Sequence, residues 1–426
     1  MTEQEREQKK NRLRSRMLVT GTEENDDYEL EQLEEPEEDD RYEHRLFWHR
    51  TRKMIFTLLP AALIVGVLVY FYIDNQNKQY TLYEAQWSKE IEGNSYATYT
   101  PYATNVLKCS QDGASYINSL GETVWTQAYE MRSPLVATNG SYAAIADQEG
   151  RSIYICDETG CQGMVNTTLP VLGITIAGQG MVAALLDDGD VSYINFFDKA
   201  GARLDIELKF WMGGEGFPMS MSLSPSGTQL MLSCVYAEAG TMQNKIAFYN
   251  FSEMGELVEE KMVGAFPIGN TICLQVAFLS DSRACAFLDN GVKFFSMENL
   301  SPKSPLLPEE GETHLYEQEI RSVFYGSGHV GVITDSAEQM APYHLYVYDA
   351  LGRLVFEKGI GFAYTAASFS PYGTCLYNQS ECVLYNYNGQ LRYAGALGGN
   401  IDMLTSQSQS SVIRIGDQRV TQLVLK

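Results

Sequence analysis

The sequence predicts an all-β fold, an eight-bladed β-propeller preceded by one transmembrane helix and a disordered N-terminal tail. Three observations lead to this prediction. A hairpin motif returns at seven positions along the chain, a second turn precedes each copy, and an uncharged apolar segment of 20 residues lies ahead of the first copy. A fixed period of about forty residues indicates a repeat architecture, and 20 apolar residues suffice to cross a bilayer as a helix.

The repeated motif is Asp/Asn-x-x-Gly between two strand-like runs. In His344–Gly359, HLYVYDALGRLVFEKG, apolar and polar residues alternate on both sides of Asp349, which is typical of strands. Asp caps a turn with its side chain and Gly takes a positive φ at no steric cost, so the motif predicts a β-hairpin. The motif and its looser copies stand at Asn118, Asp157, Asp198, Asn250, Ser296, Asp349 and Asn386, with steps of 39, 41, 52, 46, 53 and 37 residues.

A second turn lies ahead of each hairpin. Ser222–Leu232 and Ser368–Asn378 share Ser-Pro-x-Gly-Thr, and turn-forming residues occupy the same place in the other units. Each unit therefore reads as four antiparallel strands, which is typical of a propeller blade. A β-sandwich of unrelated hairpins is the alternative, but a sandwich would not repeat a turn at this period.

The end of the chain predicts how the ring closes. The final unit holds three strands and stops near Lys426, where its turn should be. An open sheet edge would remain unless another strand covers it. We expect Thr81–Gly93, which is strand-like and otherwise unpartnered, to supply that strand. This gives eight blades, with seven as the alternative.

Composition agrees with a large folded core and limits the choice of partners. The chain has 426 residues, of which 45% are hydrophobic and 12% aromatic. Residues 74–426 carry 38 acids and 20 bases. This excess of negative charge disfavours nucleic acid and anionic lipid as partners. It suits solubility or, alternatively, attraction to cations and basic partners.

The first ninety residues differ from the rest of the chain in composition and charge. Residues 1–53 form a predicted cytoplasmic tail that is acidic and largely disordered, since residues 18–40 contain 12 acids and no base. Residues 54–73 carry no charge and are the predicted transmembrane helix. A cleaved signal peptide is disfavoured by the length of the segment and by the fifty residues ahead of it.

The charges beside the apolar segment predict its orientation. Five bases precede it, whereas Lys78 is the one base shortly after it. The positive-inside rule then places the N-terminus in the cytoplasm, residues 74–80 in a short linker and residues 81–426 in an extracytoplasmic propeller. The expected localisation is the cell membrane, with a single pass.

The eight cysteines all lie beyond the apolar segment. Cys109, Cys234, Cys285 and Cys375 occupy second-strand positions of four units, which indicates small buried core residues. Cys156 and Cys161 flank one hairpin turn and form a possible disulfide if the compartment oxidises. No Cys-x-x-Cys occurs, so neither a zinc ribbon nor a thioredoxin-type site is supported.

No chemistry-bearing motif emerges from the sequence. The three histidines of the predicted propeller form no His-Glu-x-x-His, and Gly-x-Ser-x-Gly is absent. Asp187, Asp188 and Asp190 surround Gly189 and could hold calcium, although Asp-Gly is also common hairpin chemistry. We therefore predict no catalytic residues, no metal site and no cofactor.

The tail, the anchor and the Tyr-rich repeat with DGASYINSLGETVW together resemble a known family. It is an uncharacterised family, a domain of unknown function, of single-pass membrane-anchored β-propeller proteins of Gram-positive anaerobic bacteria. The resemblance implies the fold and an envelope location, and it implies no catalytic residue. The chain is more distantly similar to WD40-like and quinoprotein-like propellers, but it lacks the Gly-His and Trp-Asp signature and has only four Trp.

These observations predict a binding module or scaffold at the cell envelope and no enzyme. The expected partners are other envelope or membrane proteins, and the chain's own helix provides the contact with the membrane. Two alternatives stay open. One is an enzyme or small-ligand sensor that uses the central channel, and the other is a transmitter that couples outside binding to the acidic tail.

Overall fold

The computed structural model of the chain describes residues 58–71, 73, 77–91, 97–102, 105–211, 213–298 and 308–426. The predicted tail, residues 1–53, lies outside the described residues. The chain divides into two units, one up to Tyr72 and the other Ile73–Lys426. In the first unit, residues 58–71 are helical and their apolar side chains are exposed.

The predicted transmembrane span, residues 54–73, includes residues 54–57 and 72, which are outside the described residues. No helix among the described residues is sufficiently long and apolar to cross a bilayer.

The second unit is a propeller of eight four-stranded antiparallel sheets, so the predicted eight blades are confirmed. In each blade the strands follow one another in chain order from the innermost to the outermost, except in the blade that closes the ring. Two short 3-10 helices, Gly255–Leu257 and Glu259–Lys261, interrupt the otherwise all-β unit.

The first strand of the chain belongs to the last blade, and blades 1 to 4 follow it. The strands are β1 (Tyr83–Glu90); in blade 1, β2 (Thr98–Tyr102), β3 (Asn105–Cys109), β4 (Gly113–Ile117) and β5 (Thr123–Ala128); in blade 2, β6 (Pro134–Asn139), β7 (Tyr142–Asp147), β8 (Ser152–Asp157) and β9 (Gly160–Asn166); in blade 3, β10 (Val171–Ile176), β11 (Val182–Asp187), β12 (Val191–Phe197) and β13 (Arg203–Trp211); and in blade 4, β14 (Phe217–Leu223), β15 (Gln229–Glu238), β16 (Thr241–Asn250) and β17 (Met262–Gly269).

Blades 5 to 8 complete the ring. The strands are, in blade 5, β18 (Cys273–Ser280), β19 (Arg283–Leu288), β20 (Gly291–Ser296) and β21 (Glu309–Leu315); in blade 6, β22 (Ile320–Gly326), β23 (His329–Glu338), β24 (Ala341–Asp349) and β25 (Leu354–Ile360); in blade 7, β26 (Ala366–Ser370), β27 (Gly373–Tyr377), β28 (Glu381–Tyr385) and β29 (Leu391–Ala396); and in blade 8, β30 (Met403–Ser408), β31 (Ser411–Gly416) and β32 (Arg419–Leu425).

The ring closes as the sequence predicts. Strand β1 pairs antiparallel with β32, from Tyr83 opposite Leu425 to Glu90 opposite Arg419, and so becomes the outermost strand of blade 8. The innermost strands of all adjacent blades contact one another, including β2 of blade 1 and β30 of blade 8. The pairing covers the edge that β32 would otherwise expose.

The core lies between the blades and not in one central mass. The buried apolar residues form eight clusters, and each cluster combines residues of two adjacent blades. Both faces of every sheet are therefore covered. This explains why the second and third strands are nearly continuous apolar runs while the outermost strands alternate between buried and exposed residues.

The repeated Asp/Asn-x-x-Gly motif forms the turn between the third and fourth strands. The Asp198 Oδ1 atom accepts hydrogen bonds from the backbone N–H groups of Ala200 at 2.9 Å and Ala202 at 2.8 Å. Gly201 has a φ of +86°, as a left-handed fourth position requires. The same pair of bonds occurs at Asn118, Asp349 and Asn386.

Two ends of the ring can be distinguished because the strands of each blade alternate in direction. One end, which we call the lower face, carries the turns between the first and second strands and between the third and fourth strands. The upper face carries the turns between second and third strands and the connections from one blade to the next.

The chain enters the propeller at the lower face. The Tyr80 N–H donates to the Arg392 carbonyl at 2.7 Å, the Tyr80 ring is buried, and the Arg392 guanidinium lies 5.1 Å from the ring centre. Gln390 Nε2 donates to the side chain of Asn77, directly after the lower-face turn that begins at Asn386. The end of the predicted linker, residues 74–80, is therefore packed against blades 7 and 8.

Candidate interaction surface

The channel at the centre of the ring offers little acid–base chemistry. It is surrounded by the eight innermost strands, all of them among the described residues, and these carry one charged side chain, Arg321. Arg321 is paired with Asp335 through two hydrogen bonds of 2.7 Å and with Glu319 at 3.2 Å. The hydrogen bonds from Arg321 lower the pKa of the Asp335 carboxyl, so both side chains are charged at pH 7.

The two cysteines of the possible disulfide lie directly opposite each other. Cys156 in β8 pairs with Cys161 in β9, across a turn in which the Thr159 N–H donates to Asp157 Oδ1 at 2.7 Å. Both cysteines are free thiols, with Cys156 buried and Cys161 exposed. The disulfide stays a prediction. The other six cysteines are free and buried, including the four predicted as core residues.

The other residues that the sequence singled out are dispersed. Asp187 caps its own hairpin, since its Oδ1 accepts from the Gly189 N–H at 3.0 Å. Within the described part of the chain, no three His, Cys, Asp or Glu side chains come together as a metal site. The three histidines are separate, and two are stacked on tyrosines: His314 on Tyr348 at 4.3 Å and His329 on Tyr387 at 3.9 Å.

Two long hairpins project from the upper face. In blade 4, β14 begins opposite Val235 and β17 ends opposite Asn244. Residues 236–243 therefore pair only with each other. In blade 6, β25 ends opposite Tyr343, and the ladder beyond it continues to Glu338 and Ala341. At about 3.3 Å per residue, the three further residues per strand extend the blade 4 hairpin by roughly 10 Å. The blade 6 hairpin instead folds back toward β25, because Ala341 lies beside Gly359 and the Met340 carbonyl lies beside Gly361.

The sequence signals for these hairpins are the spacing of the turn motifs and the length of the second strands, rather than the motifs themselves. The step of 52 residues from Asp198 to Asn250 spans the long hairpin of blade 4, whereas the step of 53 residues from Ser296 to Asp349 includes the hairpin of blade 6 and also residues 297–308 of blade 5. The second strands of these blades, β15 and β23, have 10 residues each, whereas the second strand of blade 5 has 6. Blade 5 therefore has a shorter second strand than either of its neighbours.

Exposed apolar side chains lie around the upper end of blade 5. Strand alternation orients Met242 toward blade 5, because Ile246 and Phe248 on the same side of β16 pack in the cluster between blades 4 and 5. Met242 is 54% exposed. Pro342 is exposed in the hairpin of blade 6.

The upper edge of blade 5 forms the floor between the hairpins. Ile272, Leu274 and Leu315 are 42%, 63% and 65% exposed. The Ile272 carbonyl accepts from the Asp289 N–H at 2.9 Å, and Leu315 pairs with Gly291 at the other end of the same turn. We call the set Met242, Ile272, Leu274, Leu315 and Pro342 the apolar groove.

The rim of the apolar groove is acidic. The described loops that surround blade 5 on the upper face contain no lysine or arginine. Glu238, Asp289, Glu317 and Glu338 are exposed there. Lys245 lies on a nearby strand, but it is held by Glu215 at 3.3 Å and by the Tyr236 ring at 5.3 Å.

A family of unknown function, DUF5711, matches residues 76–425 of the chain. This range spans every strand of the propeller. The chain belongs to that family. The family match thus begins beyond the helical residues 58–71 and includes both projecting hairpins of this DUF5711 propeller. No curated protein matches the chain by sequence.

Solved structures with a similar chain path include three proteins of low sequence identity. BamB from Moraxella catarrhalis has a TM-score of 0.48 at 14% identity, over 81% of this chain and 100% of that one. AztD from Citrobacter koseri, in its apo form, has a TM-score of 0.48 at 8% identity, over 71% and 87%. The WD40 domain of Neurospora crassa Pan2 has a TM-score of 0.40 at 10% identity, over 80% and 95%.

Proposed function

We propose that this DUF5711 protein is a membrane-anchored binding module of the cell envelope, and that other envelope or membrane proteins dock on the upper face of its propeller. The observation that carries the proposal is the set of exposed apolar side chains at the upper end of blades 4 to 6, together with its acidic rim. Single exposed apolar residues are common, but several of them at one end of a ring are typical of an interaction site.

The channel supports binding over catalysis. General acid–base catalysis needs carboxylates or histidines that converge on a substrate. The innermost strands supply one charged side chain, and that side chain, Arg321, is already paired. A transferred proton would have no acceptor among these strands.

The place where the chain enters supports the orientation of the module. Asn77 and Tyr80 contact the lower face at blades 7 and 8, so the apolar groove lies at the opposite end of the ring. The upper face is therefore clear of residues 77–80 and open to partners.

The experiment that tests this function shortens both hairpins in the full chain. Asn-Gly replaces Ala237–Met242 in blade 4 and Ser336–Pro342 in blade 6, and each new type I′ turn closes an existing strand pair. Proteins recovered with the wild type by crosslinking in cells should be lost with this variant, while its melting temperature should change little.

A matched control changes another upper-face turn without touching the hairpins. Asp188→Asn with Asp190→Asn in blade 3 should leave the recovered proteins unchanged. Identical partners for the wild type and the shortened variant would contradict docking at this face. Turnover of a substrate by the purified chain, lost on mutation of Arg321, would favour the enzyme instead.

A further inference from the structure

We propose that Met219 and Leu274 are the central anchor of the docking surface, and that they bind one apolar side chain of the partner protein at the upper mouth of the central channel. A lysine or arginine beside that side chain would meet the carboxylates next to Arg321. This inference rests on the proposed function, and it names the residues and the partner chemistry at the same face.

A β-bulge recurs at the same place in four consecutive blades. In blades 3 to 6, one residue near the start of the innermost strand has no partner on the second strand, because its two neighbours pair with consecutive residues there. The four bulged residues are Leu172, Met219, Leu274 and Arg321. Bulges re-aim side chains and are frequent at the rims of barrels and beside functional sites. Their recurrence indicates a feature of the channel mouth rather than an isolated irregularity.

Three of the four bulged residues are exposed at the upper mouth of the channel. The innermost strands begin at the upper face, where the connections between blades lie. Met219 and Leu274 are 50% and 63% exposed, and the Arg321 side chain is 46% exposed. None of these three belongs to the eight buried clusters, whereas Leu172 is half-buried and packs between blades 3 and 4. Met219 and Leu274 are therefore apolar surface that the fold itself does not use.

Hydrogen bonds between the innermost strands of blades 4 and 5 hold the two apolar residues close together. The Ser220 Oγ atom accepts from the Val276 N–H at 3.1 Å, and the same kind of bond occurs two residues further along both strands at 3.0 Å. These bonds place Ser220 level with Val276. Met219 directly precedes Ser220, and Leu274 lies two residues before Val276, so the two bulged residues differ in level by a single residue.

The exposure of this pair decides which kind of occupant fits. Both side chains are at least half exposed, so together they cannot enclose a free small molecule, which needs most of its surface buried. A side chain carried by a larger partner needs contact on one side only, because the partner itself covers the rest. Anchors of this kind cluster near the centre of protein interfaces, and the channel mouth is the centre of the upper face.

The charges beside the pair lead to a base on the partner. Arg321, the bulged residue of the next blade, is paired with Asp335 at 2.7 Å and with Glu319 at 3.2 Å. Two carboxylates thus meet one guanidinium, and the Glu319 side chain is 68% exposed. A lysine or arginine next to the apolar side chain would offset this excess of negative charge. Such a contact increases the association rate and weakens with salt.

The test places a photo-crosslinking amino acid in the full chain, in cells, at Met219 and at Leu274 in turn. The control sites are Val124 and Leu354, which are 52% and 48% exposed on outermost strands. Both channel sites should crosslink to the same short segment of one partner, and the control sites should not. Mass spectrometry of the joined peptides should find an apolar residue with lysine or arginine close to it in sequence.

Paired substitutions measure how much the anchor contributes. Met219→Ser with Leu274→Ser should lower the amount of partner recovered by crosslinking in cells by about tenfold or more, as the loss of a central anchor does. The matched control is Met242→Ser with Leu315→Ser, 54% and 65% exposed at the periphery of the same face, and it should change the recovery by no more than about twofold. Both variants should keep the wild-type melting temperature, because all four side chains are at least half exposed.

Three results would overturn the inference and leave the proposed function standing. The first is an equal loss of partner with the control pair, and the second is a joined segment that is acidic or has no apolar residue. The third is the absence of crosslinks at both channel sites while hairpin shortening still removes the partners. No crosslink at the channel sites together with unchanged partners after hairpin shortening would instead contradict both.

Discussion

At the scale of residues, the turns are specified by a carboxyl or amide group and a glycine three positions later. Asp198 and Asn118 hold two backbone N–H groups each, so an amide oxygen serves as well as a carboxylate. At Asp157 the motif forms a different turn, because Asp157 pairs directly with Gly160 and leaves two residues between them. Gly160 accordingly has a φ of +140°, whereas Gly201 has +86°.

That tighter turn is what brings the two hairpin cysteines opposite each other. Of the eight thiols only Cys161 is exposed, and burial raises the pKa of the Cys156 thiol, with Cys161 adding to the effect. Burial likewise raises the pKa of Cys109 to about 12 and of Cys273 to about 11. A thiolate is the reactive species, so these buried groups react slowly even at alkaline pH.

We therefore predict that iodoacetamide at pH 8 labels Cys161 alone in the reduced native protein. In protein taken directly from an oxidising envelope, a disulfide between Cys156 and Cys161 should abolish this labelling. Mass spectrometry of the unreduced peptide that contains both residues measures it. Cys161→Ser is the control, because Cys156 should then react only after unfolding. Two free thiols in the envelope protein would contradict the disulfide.

At the scale of elements, β1 joins the two ends of the propeller. Its ladder to β32 adds the fourth strand of blade 8, and Ile91 directly after it is buried in the cluster between blades 8 and 1. Trp87 packs against the same cluster. The strand therefore stabilises two blades at once: blade 1, which follows it in sequence, and blade 8, in which its partner Arg419 is 329 residues from Glu90.

Removal of Thr81–Gly93, with the helix and a spacer kept, should lower the melting temperature of the whole propeller. The loss of one buried and one partly buried large side chain and of a complete strand ladder is expected to cost several kcal/mol, since each buried large side chain contributes roughly 1.5–3 kcal/mol. Calorimetry measures the change. A synthetic peptide of residues 81–93 added to the variant should restore part of the loss, and an unchanged melting temperature would argue against closure by β1.

The tip of the blade 4 hairpin is a two-residue turn in which both residues are left-handed. Ala239 and Gly240 both have positive φ, +49° and +81°, as a two-residue type I′ hairpin requires. Alanine is a poor residue for a left-handed position, where asparagine or glycine is typical. The register nevertheless stays regular from Gln229 to Glu238, because cross-strand pairs along ten residues determine it.

At the scale of the whole molecule, the two faces of the ring differ in what they present. The chain enters at the lower face, and the hairpins, the apolar groove and its acidic rim lie at the upper face.

The orientation across the membrane is our prediction at this scale. Protease added to intact protoplasts should digest the propeller and spare residues 1–53, because five bases precede the uncharged segment and the positive-inside rule retains them in the cytoplasm. An antibody against the tail and one against the propeller distinguish the fragments. Permeabilised protoplasts serve as the control, in which the tail is digested as well. Protection of the propeller in intact protoplasts would contradict this orientation.

The architecture of this protein is predictable from local patterns in its sequence. The turn motif, its period and the incomplete last unit led to eight blades and to closure by Thr81–Gly93, because turn chemistry and strand alternation are local properties that a single chain displays. The burial of Cys109, Cys234, Cys285 and Cys375 followed for the same reason, since each stands in the second strand of a repeat.

The position of the candidate site, in contrast, depends on contacts between distant parts of the chain and is visible only in the folded structure. Met242, Leu274 and Leu315 are separated by 32 and 41 residues, and none belongs to a motif. They lie at the same end of the ring because blades 4 and 5 pack face to face and because the blade 4 hairpin extends beyond its flanking strands. The packing of the blades around the ring determines which exposed side chains become neighbours. The spacing of residues along the chain does not show which of them will meet.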